Sequence, residues 1–245
     1  MNQGIKTIDR IYRRDKFGQI YIEDEGAIRR MHFGSDLEQS AIFTRAPHVL
    51  VQNYTQALVS ALALVQRPER ILILGLGGGC LATYLHHYYR QLDVVVVEQR
   101  QTVISLAYEY FFLPRSRRLS VVEMDAANYV DTDRFDVIIT DLFDAKGMST
   151  MQSDKEMIQY WLSMLNRNGI LAMNLQGNVG PIIDQALLET EFHCHPSFSV
   201  DSNQIVFITS QHKSWQRKGR IQQAQRLPSP LATRIAIKFW QGFAS

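Results

Sequence analysis

The stretch "ILILGLGGGCLATYL", residues 71 to 85, restricts the fold more than any other part of the chain. An apolar run enters a turn of five small residues in six positions, and the residues after the turn have the spacing of a helix. A strand that feeds a helix through glycines is the opening unit of a doubly wound sheet. The next hundred or so residues repeat the alternation. "DVVVVEQ" and "TVISLAYEYF" read as strand and helix, "LSVVEMD" and "FDVIITDLF" as strands, "DKEMIQYWLSMLN" as a helix and "GILAMNLQ" as a strand. Short apolar runs without strict alternation are expected of strands covered on both faces. "FHCHPSFSV" and "QIVFITS" suit an antiparallel pair that finishes the sheet. The fold class expected is therefore α/β, a Rossmann-like, mostly parallel doubly wound sheet with an antiparallel C-terminal strand pair.

The chain divides into three regions. Residues 1–46 read as a small N-terminal β segment, a hairpin built on "QIYIED" and "AIRRMHFG"; 47–211 as the Rossmann-like α/β domain; and 212–245 as a basic tail with an amphipathic helix in "LATRIAIKFWQGFAS". The spacing of Val49, Leu50, Tyr54, Leu58, Ala61, Leu62 and Val65 predicts one helix from Pro47 to about Val65. With 26 basic against 24 acidic residues the charge is too balanced to argue for nucleic acid or a membrane surface. Cys80 and Cys194 show neither a disulfide pattern nor metal-ligand spacing, so no metal is expected and a cytoplasmic location fits. No signal-peptide or membrane-spanning run is evident.

In sheets of this class ligands lie beyond the carboxyl ends of the strands. Gly75, Gly77, Gly78 and Gly79 follow the first strand, Glu98 the second, Asp125 and Ala126 the third, and Asp141 and Asp144 the fourth. Glu98 stands 23 residues after Gly75, the spacing at which an acid can accept both hydroxyls of a ribose lying on the glycine turn. Asp125 can accept from an adenine amine, with Ala126 offering its backbone; each acid can equally cap a helix. Cys80 stands at the third glycine of GxGxxG, no GK[ST] follows and no basic phosphate clamp is evident. A nucleoside without phosphates, such as an adenosyl sulfonium, therefore fits better than NAD or ATP. Asp141 and Asp144 would face its reacting end and could accept a proton from an amine.

From about Phe17 to Gln211 these pieces resemble, in order, the spermidine/spermine synthase family, polyamine aminopropyltransferases on the class I methyltransferase fold. "GLGGG" is similar to the family's glycine motif, "VVVVE" to its ribose acid, "MDAANYV" to its adenine-contacting pair, and "FDVIITDLFD" to its Asp-x-x-Asp loop. The resemblance implies Asp141 as the catalytic acid, Gln39 as a donor contact, and Tyr54 and Asp144 as acceptor contacts. It implies decarboxylated S-adenosylmethionine or S-adenosylmethionine as co-substrate, a small-molecule amine as acceptor and a homodimer. Four positions depart: Gly78 replaces an Asp that holds the donor's amine, Thr55 a Gln, Gln56 a Glu, and Ala145 a Pro. Loss of the acid at Gly78 leaves open an S-adenosylmethionine methyltransferase, whose donor carboxylate an Asp would repel, or a non-catalytic nucleoside-binding relative.

Overall fold

The computed structural model describes residues 9–34, 38–188, 190–194 and 198–210, with 234 and 238 singly. Of the helix expected over 231–245, residues 234 and 238 are described and are helical; the rest lies outside the described residues.

The N-terminal part is larger than a hairpin. Strands β1 (Ile11–Asp15), β2 (Gly18–Glu25), β3 (Ile28–His32), β4 (Glu38–Phe43) and β5 (Ala46–Leu50) form a five-stranded antiparallel sheet in sequential order. The single helix expected from Pro47 is corrected accordingly. Residues 46–50 pair with β4, and helix α1 covers only Asn53–Val59 before a 3₁₀ turn at Ser60–Leu64. Val49 and Leu50 fit a helical stripe by spacing, but short apolar runs fit a strand as well, and here pairing with β4 satisfies the backbone groups of this segment. The N-terminal sheet thus runs past residue 46 to Leu50.

The second sheet is the expected one. It contains β6 (Arg70–Leu74), β7 (Asp93–Glu98), β8 (Leu119–Glu123), β9 (Phe135–Thr140), the long β12 (Leu165–Leu175), the short edge strands β13 (His193–Cys194) and β14 (Phe198–Val200), and β15 (Asn203–Thr209) between them and β12. Its order is β13-β15-β12-β9-β6-β7-β8, with β14 also paired to β15. The five strands from β12 to β8 run parallel, and β15 is antiparallel to β12. Helices α2 (Cys80–Tyr88) and α3 (Gln101–Tyr110) connect the first three of these strands, while α4 (Lys155–Ser163) and α5 (Gly180–Leu187) flank β12. Between β9 and α4 the chain forms a two-stranded hairpin, β10 (Phe143–Asp144) and β11 (Gly147–Met148), where the sequence suggests only a loop.

Each face of the parallel sheet buries its own core. One holds Ile71, Ile73, Val94, Val96, Tyr84 and Phe111 and continues into Ile20, Ile22, Met31 and Ile42 of the N-terminal sheet. The other holds Leu72, Leu74, Ile138, Leu171 and the fully buried Trp161 of α4. The N-terminal sheet is therefore welded to the α2–α3 side by shared apolar burial. Buried charge fixes its angle. The Arg29 guanidinium donates to both Asp24 oxygens, at 2.7 and 2.9 Å, and to the Tyr110 carbonyl at the end of α3, at 2.8 Å.

With both Arg29 and Asp24 side chains under 5% exposed, removing one partner strands the other in a dry site. Arg29→Ala is expected to lower unfolding free energy by about 3–5 kcal/mol in urea titrations, whereas surface Arg13→Ala should change it by less than about 0.5 kcal/mol.

Candidate active site

The strand order reverses between β6 and β9, and the two strands hydrogen-bond side by side there. Ligand crevices open at such reversals because the following helices leave toward opposite faces. Past the pairing of Leu74 with Thr140, Gly75 and Asp141 come into contact: the Asp141 N–H donates to the Leu74 carbonyl at 2.9 Å, and a Cβ on Gly75 would overlap the Asp141 carbonyl oxygen. Gly75 also has φ +98°, so the position excludes side chains on two grounds. The next contact is with the N-terminal sheet. Ser40 Oγ fills the space beside Gly77 and accepts the Gly78 N–H at 2.7 Å.

A cavity of about 280 Å³ lies over these strand tips. Gly75 and Gly77 form its floor, Glu98 the wall after β7, and Asp125 with Ala126 the wall after β8. Gln39 and Tyr54 enter from the N-terminal sheet and α1; Asp141 and Asp144 close the side after β9. Nine of the eleven site residues expected from the sequence thus share one cavity. Gly78 and Gly79 do not line it. The space next to Gly78 is filled by the Phe111 ring, 2.5 Å from where a Cβ would sit, and that next to Gly79 by Leu113.

Glu98 is 8% exposed. Its Oε1 accepts the Arg100 N–H at 2.9 Å and its Oε2 the Leu76 N–H at 3.1 Å, so the carboxylate is held fixed with lone pairs left over for the cavity. Burial pushes its pKa up, and the two backbone donors oppose that shift. A fixed acceptor beside a glycine floor fits two vicinal hydroxyls. Asp125 spends Oδ1 on the Ala127 N–H at 3.0 Å, so it caps a turn and lines the cavity at once. Asp144 is exposed and accepts the Lys146 N–H at 2.6 Å, which closes the β10–β11 turn.

Asp141 is the electrostatic centre. Burial raises its pKa to about 6, against two hydrogen bonds that favour the ionised form, from Asn174 and from the Tyr54 hydroxyl. Asn174 Nδ2 donates to Asp141 Oδ1 at 2.8 Å, and the single Tyr54 hydroxyl proton is shared between Asp141 and the Gln39 carbonyl, the latter at 3.4 Å. The Tyr54 pKa is pushed well above its ordinary value, first by burial and then by the Asp141 charge, so Tyr54 remains a neutral donor. A carboxyl titrating near 6, oriented by two donors, can take a proton at neutral pH. Among the described residues no group of three or more His, Cys, Asp or Glu could hold a metal ion.

Sequence reading misses Asn174, Arg100, Phe17 and Met124. Asn174 ends the apolar β12, and its position opposite Asp141 is set by strand pairing rather than by any local pattern. Arg100 is 5% exposed and binds Asp15 of β1 across 85 residues, a partner that no short motif announces.

Gly75→Ala forces the Asp141 carbonyl away and should lower the melting temperature by several degrees, whereas Gly177→Ala, also at positive φ but with open space around it, should cost only strain. The folded pKa of Asp141, about 6, lies above its ordinary 3.8, so the folded state binds the proton more tightly and loses stability as pH rises from about 4 to about 6. Asp141→Asn should therefore unfold about 1–3 kcal/mol less readily than wild type at pH 8, an advantage that shrinks toward pH 4 in denaturant titrations.

Over 162 residues the chain is 30% identical to the polyamine aminopropyltransferase of Neisseria meningitidis, covering 64% of this chain and 62% of that enzyme, so it spans less than two thirds of the relative's length. It is also 30% identical over 160 residues to the eEF1A lysine and N-terminal methyltransferase of Xenopus laevis, covering 57% of this chain and 23% of that protein. The crystal structure of a probable spermidine synthase from Corynebacterium glutamicum superposes with a TM-score of 0.68 at 19% identity, over 94% of this chain and 93% of that one. The spermine/spermidine synthase domain model matches residues 52–227, more than half of the chain. The protein belongs to the spermine/spermidine synthase family, on the fold of transferases that use S-adenosylmethionine and its relatives.

Proposed function

We propose that the chain transfers an aminopropyl group from decarboxylated S-adenosylmethionine to a primary amine and releases methylthioadenosine. The observation that carries this reading is Asp141, a half-buried carboxyl with a pKa of about 6 that Tyr54 and Asn174 orient in the same cavity that Glu98 lines.

Glu98 would hold the ribose hydroxyls, Asp125 and Ala126 the adenine edge, and the carboxylates at the strand tips would favour the donor's positive sulfur. The amine nitrogen attacks the propyl carbon bonded to sulfur. A carbon–nitrogen bond forms as the carbon–sulfur bond breaks, and its electron pair neutralises the sulfur. The nitrogen, positive after attack, loses its proton to ionised Asp141. Tyr54 and Asn174 keep the accepting oxygens aimed.

A second reading, methyl transfer from S-adenosylmethionine to an amine, is favoured by one contact. Phe111 occupies the space that an acid at position 78 would need, so neither an acid nor room for one exists where the family resemblance puts the holder of the donor's amine. The same closure removes a charge that would repel the carboxylate of the intact donor. Similarity to the Xenopus methyltransferase points the same way. Calorimetry separates the readings: aminopropyl transfer predicts tighter binding of the decarboxylated donor, and tighter binding of the carboxylated donor would establish the methyl reading instead.

Asp141→Asn should lower transfer by at least about 100-fold with nucleoside affinity retained, and an active Asn variant would remove Asp141 from the chemistry. The rate should rise with pH through a midpoint near 6 as Asp141 ionises. Asn174→Ala withdraws a donor to the ionised form and should move that midpoint upward, measured as kcat/KM against pH.

A further inference from the structure

One exposed aromatic side chain at the cavity has no part in the roles assigned so far. Phe17 sits in the turn between β1 and β2, lines the cavity with Glu98 and Met124, and is 42% exposed. A lone exposed aromatic is ordinary. This one is held in place by an arrangement that reaches the ribose acid directly.

The Phe17 N–H donates to Asp15 Oδ1 at 2.9 Å, which folds the turn. Asp15 in turn receives Arg100, with Nε to Oδ2 at 3.0 Å and Nη2 to Oδ1 at 2.9 Å, and Nη2 also reaches the Gly18 carbonyl at 3.3 Å. The Arg100 guanidinium lies 4.6 Å from the Phe33 ring centroid and 5.7 Å from that of Phe17. The backbone N–H of the same Arg100 donates to Glu98 Oε1. One buried arginine therefore couples the acid after β7 to the turn that presents Phe17. Bidentate pairing and stacking under two rings leave its fork little freedom. Met124, following β8 and 39% exposed, contributes a second apolar side chain to the same cavity.

We infer that Phe17 is the base clamp of the site: its ring covers the purine of the bound nucleoside, with Met124 as a second apolar contact and Arg100 as the positioning residue that sets the clamp relative to Glu98. The inference rests on the nucleoside reading of the cavity and adds a binding residue from the N-terminal sheet. A purine presents a flat π face that an aromatic ring or a thioether covers without hydrogen bonds, while Glu98 and Asp125 bind the polar edges. The N-terminal sheet then takes part in donor recognition, and its buried contacts to α3 keep the jaw in register.

The test uses the full chain, methylthioadenosine as probe, and three variants, Phe17→Leu, Phe17→Ala and Phe17→Trp. Stacking on a base is worth roughly 5- to 100-fold in affinity, so the Leu and Ala variants should bind that much more weakly in calorimetry. Their melting temperatures should stay near wild type, because the ring is on the rim rather than in the core. The Trp variant should keep wild-type affinity and show additional fluorescence quenching on binding, absent from the wild-type signal. Leu or Ala variants within twofold of wild type, or a Trp variant with no additional quenching, would overturn the clamp and leave the nucleoside assignment intact. A wild-type chain that does not bind methylthioadenosine would overturn both.

Discussion

The contact between Gly75 and the Asp141 carbonyl is the constraint on which the site depends. Two parallel strands end side by side, and their following segments diverge around a floor that has no side chain to fill it. A Cβ at residue 75 would push β9's exit away and move Asp141 with it. Backbone packing places the acid, and its side-chain surroundings set its acid–base poise: burial raises the Asp141 pKa to about 6 while Asn174 and Tyr54 donate to its ionised form.

The glycine turn also has a structural use that ligand binding alone does not explain. Ser40 of the N-terminal sheet occupies the space beside Gly77, Phe111 that beside Gly78 and Leu113 that beside Gly79. These residues come from β4 and from the segment that leaves α3, the two places where the N-terminal sheet and the helices meet. The turn accordingly joins the two sheets on one side and leaves a cavity on the other. A side chain at 78 would compete with the Phe111 ring before it reached any ligand.

Short-range spacing accounts for the parts of the fold and site that are legible in the sequence. The strand–glycine–helix unit, Glu98 at its distance from Gly75, and Asp141 after an apolar strand each carry a local pattern, and the doubly wound sheet follows from their repetition. The five-stranded N-terminal sheet is harder to read because β1 is "IYRRD", whose charges hide alternation, and because β5 shares its apolar spacing with the helix after it. Asn174, Arg100 and Phe17 are invisible for another reason. Their roles arise from pairing across β9 and β12, or from an ion pair 85 residues apart, and one sequence carries no record of such encounters. Resemblance places Gly78 on the ligand, but the ring that occupies its side comes from 33 residues downstream.

A crystal structure of the chain with methylthioadenosine bound tests the central claim most directly. The ribose hydroxyls should lie on Glu98, the purine between Glu98 and the Asp125–Ala126 turn, and the sulfur should face the Asp141 carboxyl. Density for the nucleoside elsewhere, or a sulfur turned away from Asp141 with Glu98 untouched, would contradict it.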